Sequence, residues 1–130
     1  MKQKLQEISI LDGTIEIVSY QVEVAKNNSS RKRGLMYREV LPANQGMLLD
    51  YRHSARMAIW MKNTYIPLDI LFINSSGIIV KIHEGAEPLS IRRIESGAEV
   101  RAVLEINAGQ VRENEIKVGN RVRHISFQNK

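Results

Sequence analysis

The sequence predicts a mainly β fold, a compact single-domain antiparallel sandwich or barrel of about eight short strands with one or two short helices. Three observations lead there. Apolar and polar residues alternate in several short stretches, the signature of half-buried strands. Turn residues recur about every ten positions, as in sandwiches and barrels. No long stretch carries a helical period. The alternative is an α+β fold in which both helices are longer than the local signals indicate.

Tyr20-Gln-Val-Glu-Val-Ala25 places Tyr20, Val22 and Val24 on one face of a strand. Ile15–Val18 reads as another strand, and Ile8–Ile10 as a weaker one. Asn27-Asn28-Ser29-Ser30 offers an N-cap for a short helix over Ser30–Tyr37 anchored by Leu35 and Met36. Pro42–Gly46 breaks the chain, and Met47–Tyr51 reads as a strand. Met57–Lys62 is strand-like, with Ala58, Trp60 and Lys62 on one face. After Asn63–Pro67, Leu68–Ile73 is a strand apolar on both faces except at Asp69. Asn74-Ser-Ser-Gly77 is a hairpin turn that returns the chain as Ile78–His83. Glu84–Gly97 reads as a loop with a short strand near Ile91. Val100–Ile106 alternates again, Gln110–Glu115 suits a short helix, and Val122–Phe127 is the last strand.

The 130 residues fit one domain spanning 1–130, large enough to fold without a metal or disulfide. With no cysteine, thiolate zinc sites, iron–sulfur clusters and cysteine nucleophiles are excluded. His53, His83 and His124 stand too far apart in sequence for a short metal motif, so neither metal nor cofactor is expected. His83-Glu84 is not a His-Glu-x-x-His motif, because Glu87 stands where the second histidine is required. Glycine-rich phosphate loops and nucleophile elbows are also missing.

The net charge of +5 is uneven. Basic residues gather at Arg31, Lys32, Arg33 and Arg38, then at Arg52, Arg56 and Lys62, a patch able to attract anions. Few aromatics interleave with them, so no strong nucleic-acid signal arises. No apolar run approaches the ~20 residues of a membrane helix. The basic opening Met1-Lys-Gln-Lys is not followed by an apolar stretch and is not a signal peptide. The sequence as written therefore predicts a cytoplasmic protein, or an extracytoplasmic one if an export signal has been removed.

Asp69 stands out because a buried carboxylate must be paired, hydrogen-bonded or neutralised. Lys62, Asn63 and Thr64 are donors nearby in sequence, and a return of the chain at Pro67 would bring them close. A pocket then follows: Asp69 as acid, base or acceptor, Lys62 as the anion-holding cation, Asn63 and Thr64 as orienting groups, Trp60 as an apolar wall. The competing reading makes Asp69 a satisfied structural group and Trp60 a core residue. Glu105 shares a strand face with Arg101 and Val103, away from the apolar stripe, which predicts a solvated or cross-strand role.

Several segments together resemble a known family. They are Arg33-Gly-Leu-Met-Tyr-Arg38, Gly46-Met-Leu-Leu49, Trp60-Met-Lys-Asn-Thr64, Ile66-Pro-Leu-Asp-Ile-Leu-Phe72, Val103-Leu-Glu105 and Ile116-Lys-Val-Gly119. In order and spacing they resemble the domain-of-unknown-function family numbered 192, over a core of about 20–122. The resemblance implies a compact, mainly β fold with a short helix at the Arg-Gly-Leu-Met segment, and no established activity. Asn120 stands where the family commonly has aspartate, and Leu49 where phenylalanine is frequent. Among the matching positions, Arg33, Arg38, Trp60, Lys62, Asn63, Thr64, Asp69 and Glu105 are the candidate ligand-binding residues. No residue is assigned as catalytic. Three functions compete: a binding module for a small polar or anionic ligand, a structural or interaction domain, and a hydrolase-like enzyme using Asp69 with Lys62 or Glu105.

Overall fold

The computed structural model describes residues 4–127; the first three residues of the basic opening stretch and the last three of the chain lie outside them. A seven-stranded sheet dominates, built from β1 (Gln6–Asp12), β2 (Ile15–Ala25), β3 (Gln45–Ala55), β5 (Leu68–Ile73), β6 (Ile79–Ala86), β8 (Val100–Asn107) and β9 (Arg121–Arg123). Its order is β6-β5-β8-β3-β2-β1-β9. The two-residue strands β4 (Ala58–Ile59) and β7 (Ile94–Glu95) pair separately. The large sheet curls into a half-barrel. Its two ends meet where Ile78 bridges to Arg121 and Ile79 N donates to the Asn120 carbonyl.

The mainly β expectation therefore holds, with one difference in direction. β2 and β3 pair in parallel, whereas the other pairings of the large sheet are antiparallel. Parallel neighbours cannot be joined by a tight hairpin; the chain must travel back over the sheet. The connection from Lys26 to Asn44 makes that journey and carries helix α1 (Asn28–Arg33).

Helix α1 begins where the N-cap signal falls. Asn27 accepts from Ser30 N at 2.8 Å, and the Ser30 hydroxyl faces back to Asn27 N at 3.3 Å, a reciprocal cap. It stops short of the expected Tyr37 because Gly34 takes φ 49° and ψ −127°, outside helical space. The expected strand over Met57–Lys62 shrinks to β4, and the expected last strand shortens to β9 followed by a 3-10 turn at Ile125–Phe127. Helix α2 (Gln110–Glu113) lies where the sequence predicts one.

Both faces of the central strands are covered, which explains why β5 is apolar on both sides. One face packs Ile8, Ile10, Val22, Leu48, Leu71, Leu104 and Ile106 with Val111 of α2. The other packs Met47, Leu49, Ile70, Phe72 and Val103 beneath Leu35, Met61 and Ile66. Each fully buried side chain of this size contributes about 1.5–3 kcal/mol relative to exposure. Gly46 is required where β3 meets β8, since a β-carbon there would lie 2.5 Å from the Glu105 carbonyl oxygen.

A buried carboxylate under a basic rim

Asp69 is fully buried, and its partners are not the donors expected from the sequence. Oδ1 accepts from Gly85 N at 2.9 Å, and Oδ2 accepts from Gly109 N at 3.0 Å and Val111 N at 2.9 Å. The carboxylate thus ties β6 and the start of α2 to β5. A carboxylate holding three backbone N–H groups is satisfied by the chain itself. Asp69 is a structural clamp, and the expected pocket around it with Lys62, Asn63 and Thr64 does not form.

Glu105 presents the opposite case. It sits on β8, opposite Met47 of β3 on one side and Ile70 of β5 on the other. Its side chain therefore points from the middle of the sheet toward α1, and only 6% of the residue is exposed. The solvated role expected from strand alternation is overturned, because the crossover covers this face. Among the described residues, Glu105 Oε1 is the buried side-chain polar atom left without a hydrogen-bond partner. Burial pushes its carboxyl up to about 7.

Above Glu105 lies a cavity of about 380 Å³. Its walls include Leu35, Leu49, Tyr51, His53, Ile59, Trp60 and Thr64, with Arg31, Lys32 and Arg33 of α1 along the edge and Gly34 beside the carboxylate. A β-carbon on Gly34 would stand 3.4 Å from Oε1, so the absent side chain leaves the space over that buried oxygen unfilled. Tyr51 faces both charges: burial and Glu105 push its hydroxyl up, while Arg31 opposes them.

The rim cations lack carboxylate partners among the described residues. Arg31 is held by neutral acceptors: Nη1 donates to the Lys26 carbonyl and, at 3.1 Å, to the Asp50 carbonyl, and Nη2 donates to Asn28 Oδ1 at 2.6 Å. Its guanidinium lies 5.0 Å from the Tyr51 ring centroid, within cation–π range. Arg33 lies similarly 5.7 Å from the Tyr37 ring.

Of the eight sequence candidates, Arg33, Trp60, Thr64 and Glu105 line this cavity. Trp60 is 40% exposed, not a core residue. Lys62 lies outside the lining, but its Nζ sits 5.1 Å from the Trp60 ring and extends the positive edge. Asn63 turns away and donates to the Tyr37 hydroxyl at 2.8 Å. Arg38 is taken by Glu23, which accepts at 2.6 and 2.9 Å, and it does not rim the cavity. That bidentate pair holds the Glu23 carboxyl below its ordinary value. Sequence reasoning missed Tyr51, His53 and Gly34 as cavity residues. The available signal was the β3 alternation, which sets Tyr51 and His53 on the face of Met47 and Leu49.

Comparison with known proteins agrees with the fold and extends the resemblance. No curated protein matches the chain. A crystal structure from Sinorhizobium meliloti 1021, provisionally described as a transcription regulator, is 37% identical, with a TM-score of 0.92 over 97% of this chain and 98% of that one. A protein of unknown function from Novosphingobium aromaticivorans DSM 12444 is 28% identical, with a TM-score of 0.88 over 92% of this chain and 85% of that one. The profile of DUF192, described as Uncharacterized ACR, matches residues 10–124. With the motif segments, the half-barrel and the family profile in agreement, the chain belongs to the DUF192 family.

Proposed function

We propose that this protein is a binding module for a small polar ligand that enters beside α1 and hydrogen-bonds to Glu105. The observation that carries the reading is the unpartnered Oε1 of a carboxylate buried at the floor of an accessible cavity. Leaving a buried polar atom unmade costs about 1–3 kcal/mol, and more for a charge. A ligand that supplies the missing donor recovers that cost. Mixed apolar walls with few converging polar groups also suit small-molecule binding.

Thermal shift and amide chemical-shift mapping against a panel of small polar metabolites test this. Binding compounds should move the amides of Gly34, Tyr51, Thr64 and Glu105, and Glu105→Gln should weaken them. A panel that leaves those amides and the melting midpoint unmoved would sink the proposal. Short duplex DNA belongs in the same panel because of the S. meliloti relative's description. The six-residue α1 is short for a groove-reading helix, so binding by DNA alone would count against the small-ligand reading.

A second reading has Glu105 as a general acid or base. A carboxyl held near 7 within reach of a cavity favours it. Asp69 cannot share the task while its oxygens hold three backbone donors. Buffer-independent turnover of any bound panel compound, lost in Glu105→Gln, is the sign to look for.

A further inference from the structure

The cavity combines a buried acid with cations at its edge. Glu105 lies at the floor, and Lys32 and Arg33, with no carboxylate partner among the described residues, stand at the edge. Arg31 adds a third positive charge, attended among the described residues by neutral oxygens and an aromatic face. Among the described residues, no donor hydrogen-bonds to Glu105 Oε1.

Such an arrangement discriminates. A simple cation would satisfy the floor but must pass a positive edge that repels it. A simple anion would be drawn to the edge but would meet a buried carboxylate inside. Specificity of this kind comes from the repulsive contact as much as from the attractive one. A neutral donor would bond to Oε1 without offsetting the charge that Glu105 carries once ionised, and a buried charge is compensated well only by a hydrogen-bonded counter-charge.

Resting on the binding reading above, we propose that the natural ligand is a small zwitterion, with an ammonium group on Glu105 and an acidic group at Lys32 and Arg33. The aliphatic and aromatic walls, Leu49, Tyr51 and Trp60, then contact the carbon skeleton between the two charges.

The test uses a matched series measured by amide chemical-shift titration and calorimetry. The ω-amino acids from glycine to 6-aminohexanoate vary the separation of the two charges. Alkylammonium and alkanoate ions of the same chain lengths carry each charge alone. At least one ω-amino acid should bind tenfold or more tightly than either matched single-charge ion, with shifts at Gly34 and Glu105. Glu105→Gln should weaken it tenfold or more, and Lys32→Gln with Arg33→Gln should weaken it and reduce its salt dependence. Equal binding of an alkylammonium or an alkanoate would overturn the proposal. So would failure of the whole ω-amino acid series while other polar compounds still shift the cavity amides, and then the binding reading alone survives. If neither this series nor the broad panel shifts those amides, both fall.

Discussion

Gly34 stands directly over Glu105: a β-carbon added there would come to 3.4 Å from Oε1. The same glycine ends α1 with φ 49° and ψ −127°, a conformation that side chains strain to adopt. Gly34→Ala should therefore act twice. Stability should fall by about 1–3 kcal/mol from backbone strain, and the added methyl should crowd the cavity floor. Urea denaturation reads the first effect, and ligand titration of the folded variant reads the second. An alanine variant of unchanged midpoint would mean that the backbone at this position relaxes.

Glu105 makes stability fall as pH rises toward neutrality. Its folded carboxyl is raised from 4.5 to about 7, so between those values the folded state holds a proton that the unfolded chain has released. Stability contributed by the neutral carboxyl is fully present below about 4.5 and is lost as pH rises to about 7, roughly 3 kcal/mol in all. Glu105→Gln keeps the shape without the charge. Urea unfolding of both proteins at pH 5 and pH 8 should show the variant gaining on the wild type at the higher pH. Parallel curves at both values would show that Glu105 titrates normally.

Asp69→Asn should weaken the fold strongly while leaving the cavity lining unchanged. The amide nitrogen cannot accept, so at least one of the N–H groups of Gly85, Gly109 and Val111 loses its partner. Charge-assisted bonds of this kind are worth about 1.5–3 kcal/mol each, and a loss of about 3 kcal/mol or more is expected. Hydrogen exchange should speed up at those three amides first. Unchanged protection there would remove the clamp from the account.

Gly46→Ala tests the close approach of β3 to β8. The added carbon would meet the Glu105 carbonyl oxygen at 2.5 Å and Ile106 Cγ2 at 2.9 Å. The first contact is backbone and cannot swing aside, so the cost should reach or exceed the 1–3 kcal/mol typical of overpacking. Circular dichroism melting provides the check, and a midpoint within error of wild type would contradict the packing described.

Much of the fold could be read from residue patterns. The alternation around Leu104 and Ile106, the two-sided apolar β5 and the Asn74–Gly77 turn all reappear, with Asn74 Oδ1 accepting from Ser76 N and Ile78 N. The direction of β2 against β3 was not legible, because alternation reports which face is buried and not which way a neighbour runs. Asp69 was correctly singled out as a buried acid, but its donors are backbone N–H groups 16, 40 and 42 residues away, where no side chain advertises them. Glu105 was misjudged for the reverse reason. Its face alternates as a solvent face should, and the α1 segment and residues 59–66 packed over it remove it from water. Arg38 offered a charge but no hint that Glu23, on a strand before the helix, would claim it.

The parallel pairing of β2 and β3 has an outcome beyond topology. Had those strands been neighbours in a hairpin, the middle of β8 would lose the α1 half of its roof and keep only the half built from residues 59–66, leaving its acid wetter. The detour that strand polarity imposes is what closes the chamber on its basic side. Its ceiling belongs to a stretch that contributes no rung to the large sheet, so changes there can retune what is admitted while the ladder beneath stays as it is.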